Sequence, residues 1–460
     1  MRRLFPIALL AGCATVGPDY ERPAIELPAR YPAPAAAETA AVPAQWWTLY
    51  GDRTLEALVA AAREANADIR LAAARVREAE AVLREAGAAS YPEVVAGAGV
   101  TRSRVSTRTE PPPPANAPRE RSQHQLSAST SFELDFWGRF DRAAEAAQAG
   151  LLASRFAQEV VSLGLAGATA QAYFGLRSLD AQLAVLDVTI EVRNESLNIA
   201  RTRSDAGLAS ELDVYQAQGA LAEARAQRRE AGRARALVEH QLGELTGRLE
   251  LALERGDLFA LPLPPAPPPG LPSSLLERRP DVRSAEQALV AANAQIGVAR
   301  ASLFPAISLT GALGAQSAEL STLLSSGAGI WSLGFGLALP IFDAGRREAR
   351  VEQAEARRGQ ALAAYQRSVE TAFREVADGL VNVEAAAGTE AQLEARLHAA
   401  RAALELSTLR YESGYSPYLE VLDAQRTANE AELAFVRNRQ ARLAFSVDLM
   451  KALGGGWAPD

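Results

Sequence analysis

Residues 203–218, RSDAGLASELDVYQAQ, return 207 positions later as residues 410–425, RYESGYSPYLEVLDAQ. Arg203, Gly207, Leu212, Val214, Ala217 and Gln218 keep their order as Arg410, Gly414, Leu419, Val421, Ala424 and Gln425. The same offset carries Leu242 to Leu449 and Gly247 to Gly454. Upstream, Asp68, Arg70, Tyr91 and Pro92 answer at offset 213 to Asp281, Arg283, Phe304 and Pro305. The offset is 207 again at Gly138-Arg139 against Gly345-Arg346. The chain is one unit written twice, with about six extra residues in the first copy between positions 92 and 138. Such a duplication argues against a single globular core and sets the architecture before any motif is read.

The 460 residues are 48% hydrophobic but only 6% aromatic, a balance that suits close-packed helices better than a thick core. A net charge of -7 gives no electrostatic reason for a nucleic-acid partner. The lone cysteine, Cys13, excludes an intramolecular disulfide. It follows Arg2-Arg3, an apolar stretch from Leu4 to Ala11, and Gly12, the pattern of an export signal over residues 1–12. Leu10-Ala11-Gly12-Cys13 resembles the lipobox of bacterial lipoproteins, which implies an acylated Cys13; Ala14 after it, by the same resemblance, favours outer-membrane sorting. Residues 13–50, rich in proline and alanine, read as an extended tether. No apolar run elsewhere is long enough for a transmembrane helix.

Helical patterning runs from about Thr54 to Ala89, Arg139 to Ala206, and Ser210 to Leu249 in a first repeat spanning 51–260. A Pro-dense linker, 261–272, precedes a second repeat over 273–460. There the helical stretches are about Ser273–Ser302, Arg346–Ser413 and Pro417–Leu453. Leu362, Tyr365, Val369, Phe373, Val376, Leu380 and Val383 step by three and four, a near-heptad seam. Helices of roughly 65 residues reach about 100 Å. Taken alone, they fit a filamentous coiled coil.

Two interruptions argue otherwise. Residues 125–136 alternate Leu126, Ala128, Thr130, Phe132 and Leu134 with polar partners, and 331–341 alternate Trp331, Leu333, Phe335, Leu337, Leu339 and Ile341 with small residues. Weaker alternations precede each, at about 94–101 and 306–314. Period-two segments of this length match transmembrane β-strands; a soluble hairpin on helices is the bland alternative. Four strands cannot close a barrel, and an open edge in lipid is prohibitive. Two chains would give eight strands and three would give twelve; a passage implies the trimer, and strand counting alone does not exclude the dimer. The intervening loops, one holding Pro111 to Pro114 and the other Ser317 to Gly329, then face the exterior.

Several strings match a known family. They are Leu10 to Cys13, Val16-Gly17-Pro18-Asp19-Tyr20, Trp46-Trp47, Leu134-Asp135-Phe136-Trp137-Gly138-Arg139, Arg278-Arg279-Pro280-Asp281-Val282, Leu339 to Arg346, and Leu419 to Gln425. Across the mature chain, the sequence resembles the TolC-like outer-membrane factors, most of all the acylated OprM/NodT-type efflux lipoproteins. The resemblance implies an α+β membrane protein, a homotrimer whose twelve-stranded outer-membrane barrel takes four strands per chain. That barrel would continue into a long periplasmic α-helical coiled-coil tunnel. It further implies a passive conduit for small molecules, docked onto a periplasmic adaptor and an inner-membrane pump of RND type, and no enzyme activity. His124, His240 and His398 are scattered with no partner at metal-ligand spacing, and no cofactor motif is present. A type I protein-secretion outlet and a lipid-anchored periplasmic coiled-coil adaptor are the competing readings. The paired helix–strand copies argue against the second of these, and Cys13 argues modestly against the first.

Function should concentrate at the two turns of the opening repeat. Gly207 and Gly414 suit left-handed helix ends. Ser210 can cap the next helix, with Asp213 completing a capping box, while Ser416 can cap and Pro417 takes the first helical position. In the family such turns narrow the tunnel and meet the adaptor. This assigns adaptor contact to Gly207, Leu208, Gly414 and Tyr415, and the periplasmic gate to Asp205, Arg410, Tyr411 and Glu412. The family often has an aspartate just after the second glycine. Here Tyr415-Ser416-Pro417 stands there, so an acidic ring is absent or moved to Glu412 or Glu420.

Overall fold

A computed structural model describes residues 15–28, 31, 42–106, 108, 114, 118–265 and 275–455. The chain divides into two compact units, and each draws on both sequence repeats. The first comprises Met1–Ala24, Val76–Ala153 and Ala285–Tyr365; the second comprises Ile25–Arg75, Ser154–Ser284 and Gln366–Asp460. No described helix is long and apolar enough to cross a membrane.

The first unit holds an antiparallel sheet, ordered β1 (Glu93–Arg104), β2 (Glu120–Leu134), β3 (Ala306–Ser317) and β4 (Gly329–Ala338). Its register separates the two faces. Ala96, Ala128, Leu313 and Trp331 form one row across all four strands, and Phe132, Leu309 and Phe335 form another on the same face. The alternate rows are Ser131, Thr310 and Gly334, then Ser129, Ala312 and Ser332. One face is apolar and open to the surroundings, with Trp331 82% and Phe335 70% exposed. The other is lined by hydroxyls and small residues. A Cβ on Gly334 or Gly336 would stand 2.8 Å from the hydroxyls of Thr310 and Ser308, so these glycines let β4 lie close against that polar row. This is the pattern of a sheet with lipid on one side and water on the other.

The strand limits differ from the sequence reading. β1 and β2 run farther outward than 94–101 and 125–136, because polar residues such as Arg102 and Ser122 extend the ladder without adding apolar alternation. β3 likewise passes 314 to Ser317. β4 starts earlier, at Gly329, and stops at Ala338, before Pro340, which has no N–H to give the ladder. At its inner end β2 stops at Leu134 because Asp135 turns to cap the following helix. Its carboxylate accepts from the backbone N–H of Arg139 (2.6 Å), Phe140 (2.7 Å) and Asp141 (3.2 Å). Beside it the Trp137 indole donates to the Pro305 carbonyl (2.8 Å) and stacks on Phe304 at 4.6 Å, joining the strand-to-helix junction of the first repeat to the helix-to-strand junction of the second.

The helices are α1 (Arg53–Ala65), α2 (Ala67–Ala88), α3 (Arg139–Asp205), α4 (Glu211–Thr246), α5 (Leu275–Arg278), α6 (Pro280–Ala301), α7 (Arg346–Glu412) and α8 (Tyr418–Ala452). The stretch expected as one helix from Thr54 is broken at Asn66, whose extended backbone (ψ 141°) ends α1. The Asn66 side chain donates to the Leu245 carbonyl and accepts from the Asp68 N–H. Pro280 opens α6 at its first position, separating it from the α5 turn. The heptad seam of α7 is real: Tyr365, Val369 and Val376 are buried.

The tether reading needs correcting at both described ends. Residues 15–24 have no regular structure but are fastened within the first unit. Val16 N–H donates to the Trp137 carbonyl (3.0 Å), Asp19 pairs with Arg142 (2.6 Å), and Arg22 makes a fork to Glu286 (2.6 and 2.8 Å). Residues 46–50 form a 3₁₀ turn whose Trp46 and Tyr50 are fully buried, and the Tyr50 hydroxyl bonds Ser446 at 2.6 Å. Aromatic surface of that size is driven inside by the hydrophobic effect, whatever the proline content around it. In the second unit Tyr173, Phe174, Leu242, Leu443 and Val447 complete this core. A buried carboxylate, Asp180, takes Arg177 (2.9 Å), Arg235 (2.7 Å) and the Gly256 N–H (3.1 Å), which pins the irregular chain after α4.

Candidate functional site at the helical hairpin tips

The α3–α4 and α7–α8 turns have the same backbone. In the first, the Leu208 N–H reaches the Arg203 carbonyl (2.8 Å) and the Gly207 N–H reaches Ser204 (2.9 Å). In the second, Tyr415 bonds Arg410 (2.8 Å) and Gly414 bonds Tyr411 (3.0 Å). Both are Schellman closures, and they demand the positive φ seen at Gly207 (72°) and Gly414 (80°).

The start of the outgoing helix differs. Ser210 caps α4 by accepting from the Leu212 N–H at 3.2 Å. Asp213 completes no reciprocal box among the described residues; its charge helps to raise the Tyr411 and Tyr418 phenols. In the second turn Pro417, extended at ψ 157°, is itself the N-cap rather than the first helical residue. The Ser416 hydroxyl is buried and has no hydrogen-bond partner among the described residues.

The two turns meet through a small cluster. Tyr411 (5% exposed) and Tyr418 (1%) lie 5.4 Å apart, packed with Leu197, Ala200, Ala217, Leu221 and Val421. Arg203, at the end of α3, reaches across. Its guanidinium sits 4.8 Å from the Tyr411 ring centroid, and Nη1 donates to the carbonyls of Tyr411 (2.7 Å) and Glu412 (3.4 Å). A cation on the last carbonyls of α7 also offsets that helix's negative end. Burial pushes the Tyr418 phenol up to about 12, helped by Tyr411 and Asp213 and opposed by Arg193. Burial, and then Asp213, also raise Tyr411, with Arg203 acting against them.

Of the residues assigned to the gate from sequence, Tyr411 is at the centre of this cluster. Glu412 takes part through its carbonyl, with an exposed side chain. Arg410 pairs with Glu420 at 3.6 Å inside its own hairpin. Asp205 is exposed and forms no ion pair among the described residues. Sequence reasoning missed Arg203, Tyr418 and the electrostatic role of Asp213. The available signal was that Arg203 opens the repeat as the counterpart of Arg410. Of the positions assigned to partner contact, Leu208 (72% exposed) and Tyr415 (80%) project outward, beside the exposed Gly207 and Gly414. Leu212 and Leu419, in register with each other in the two repeats, continue the same exposed apolar character. Cys13 lies outside the described residues.

The model of the outer membrane efflux protein family matches residues 58–248 and again 271–455, one match for each repeat. The chain belongs to the outer membrane efflux protein family. It is 36% identical to the solvent efflux pump outer membrane protein SrpC of Pseudomonas putida, over 99% of this chain and 98% of that protein. It is 31% identical to the probable outer membrane lipoprotein SilC of Salmonella typhimurium, over 98% of this chain and 97% of that one. Among solved structures, the outer-membrane channel OprN superposes with a TM-score of 0.89 at 30% identity, covering 97% of this chain and all of OprN. The α+β fold is thus that of the outer-membrane efflux channels, and this member of the family works in efflux at the outer membrane.

Proposed function

We propose that three copies of this chain form the exit duct of a tripartite efflux system, with twelve strands closing one barrel and the long helices forming a periplasmic tunnel. The carrying observation is the sheet: one apolar face, one polar face, and outer strands β1 and β4 whose outer edges pair with no described strand. Unpaired strand edges cannot remain in lipid, and four strands cannot close on themselves. Exposed aromatics where strands meet helices (Tyr91, Phe136, Phe342) and Trp331 near the opposite end supply the two interfacial belts of a membrane barrel.

The hairpin tips serve as the periplasmic entrance. The Arg203–Tyr411–Tyr418 cluster holds each chain's two hairpins together, and Gly207, Leu208, Gly414 and Tyr415 meet a periplasmic adaptor that delivers cargo from an RND-type inner-membrane pump. Cys13 carries the lipid anchor; the name of SilC as a lipoprotein favours this, as does the fastening of the chain just after it. The cargo class follows the relatives named for solvent and toluene efflux, small apolar compounds.

The test is reconstitution of the purified full chain. Native mass spectrometry should report trimers, and planar bilayers should show stepwise ion conductance. A monomer or dimer that conducts nothing contradicts the duct. Loss of the lipid mass on Cys13→Ser tests the anchor separately.

A further inference from the structure

The outward end of the first hairpin carries a charge pattern that the second lacks. Between Thr101 and His124 stand Arg102, Arg104, Arg108, Arg119 and Arg121, against Glu110 and Glu120. Residues 315–330, the matching end of the second hairpin, hold Glu319 and no basic residue. In a chain of net charge -7 this basic excess is a local feature.

The strand register decides which of these groups matter. Val94, Ala96, Ala98 and Val100 occupy the apolar face of β1, and Arg102 and Arg104 continue that face by simple alternation. Opposite them on β2 are Ser122 and Glu120. Arg102 meets Glu120 at 2.7 Å, with its side chain 75% exposed. Arg104 is exposed and makes no ion pair among the described residues. Arg121, paired with Ser103, lies on the other face. An apolar band therefore ends, away from the helices, in two outward guanidinium groups, of which Arg102 is paired with Glu120 and Arg104 has no ion-pair partner among the described residues.

On an outer-membrane barrel this level is the headgroup zone of the outer leaflet. A guanidinium fork matches phosphate oxygens in geometry and charge. The adjoining Val100 and Ala98 offer apolar surface to an acyl chain, which a free anion would not use. We propose that Arg102 and Arg104 form a site for the phosphate groups of the phosphorylated glycolipid of the outer leaflet, repeated once per chain around the barrel rim. The site rests on the barrel reading above.

The test uses the full-length protein in neutral detergent, titrated with bisphosphorylated lipid A and followed by native mass spectrometry and by the trimer's thermal dissociation. The wild type binds lipid A and gains thermal stability from it. Arg102→Gln with Arg104→Gln weakens binding about 30-fold. The double lysine variant falls between, Glu120→Gln tightens binding, and Arg121→Gln leaves it unchanged. Equal binding of lipid A by wild type and the double glutamine variant overturns the site, as does equal binding of dephosphorylated lipid A. Competition by millimolar inorganic phosphate alone would reassign it to a free anion and overturn the lipid. Trimer mass and bilayer conductance, measured on the same samples, report separately whether the barrel itself has formed.

Discussion

The two hairpin tips share a backbone and divide the chemistry. Both close through the same pair of hydrogen bonds around a left-handed glycine, so the turn itself needs only Gly207 or Gly414. The aromatic anchors belong to the second copy alone: the counterparts of Tyr411 and Tyr418 in the first are Ser204 and Glu211. The first copy supplies the arm, Arg203, whose guanidinium lies over the Tyr411 ring and donates to its carbonyl. Even the paired arginines differ. Arg203 spans to the other hairpin, while its counterpart Arg410 stays within its own. Duplication makes the scaffold, and divergence of a few side chains makes a clasp between its halves.

That contrast can be broken at its strongest point first. Tyr418→Ala removes a fully buried ring and should cost about 3–5 kcal/mol at the tip. Hydrogen exchange at the α7–α8 turn should accelerate sharply while the Trp46 core stays protected. The same substitution at Glu211, its counterpart, should leave exchange near wild type.

Alkali comes next. A phenol that ionises near pH 10 in an opened tip but is held at about 12 in the closed one favours closure fully below pH 10. That contribution is lost as pH rises through 12. Tip exchange should therefore quicken between pH 10 and 12, and Tyr418→Phe should flatten the response.

Smaller effects sharpen the division of labour. Arg410→Ala removes an exposed pair and should change tip stability by less than about 1 kcal/mol, measured by the same exchange. Tyr411→Phe deletes a buried hydroxyl with no described partner, so stability should hold or rise slightly.

Much of this architecture was legible in the sequence. The repeat, the long helices and the turn glycines are local signals, carried by spacing and by the φ that glycine alone tolerates cheaply. The strand cores were legible for the same reason, since Phe132 or Phe335 declares its face by period two. Strand ends were not, because Arg102 and Ser122 extend the ladder by pairing with each other across a loop. The burial of Trp46 and Tyr50 was hidden by the prolines around them; only their partners, such as Ser446 nearly 400 residues away, draw them inside. The clasp was half legible for a similar reason. Tyr411 stands out beside a turn, but Arg203 gains its meaning only from a carbonyl 208 residues distant. Asp205, conspicuous at the same turn, faces outward.

The most direct test of the clasp is the single-channel conductance of Arg203→Gln in planar bilayers. Arg203 donates to two carbonyls and covers a ring, which together are worth roughly 2–3 kcal/mol per chain. The variant should conduct several-fold more than wild type, with Arg410→Gln close to wild type. Equal conductance of Arg203→Gln and wild type would contradict a tip held shut by this residue.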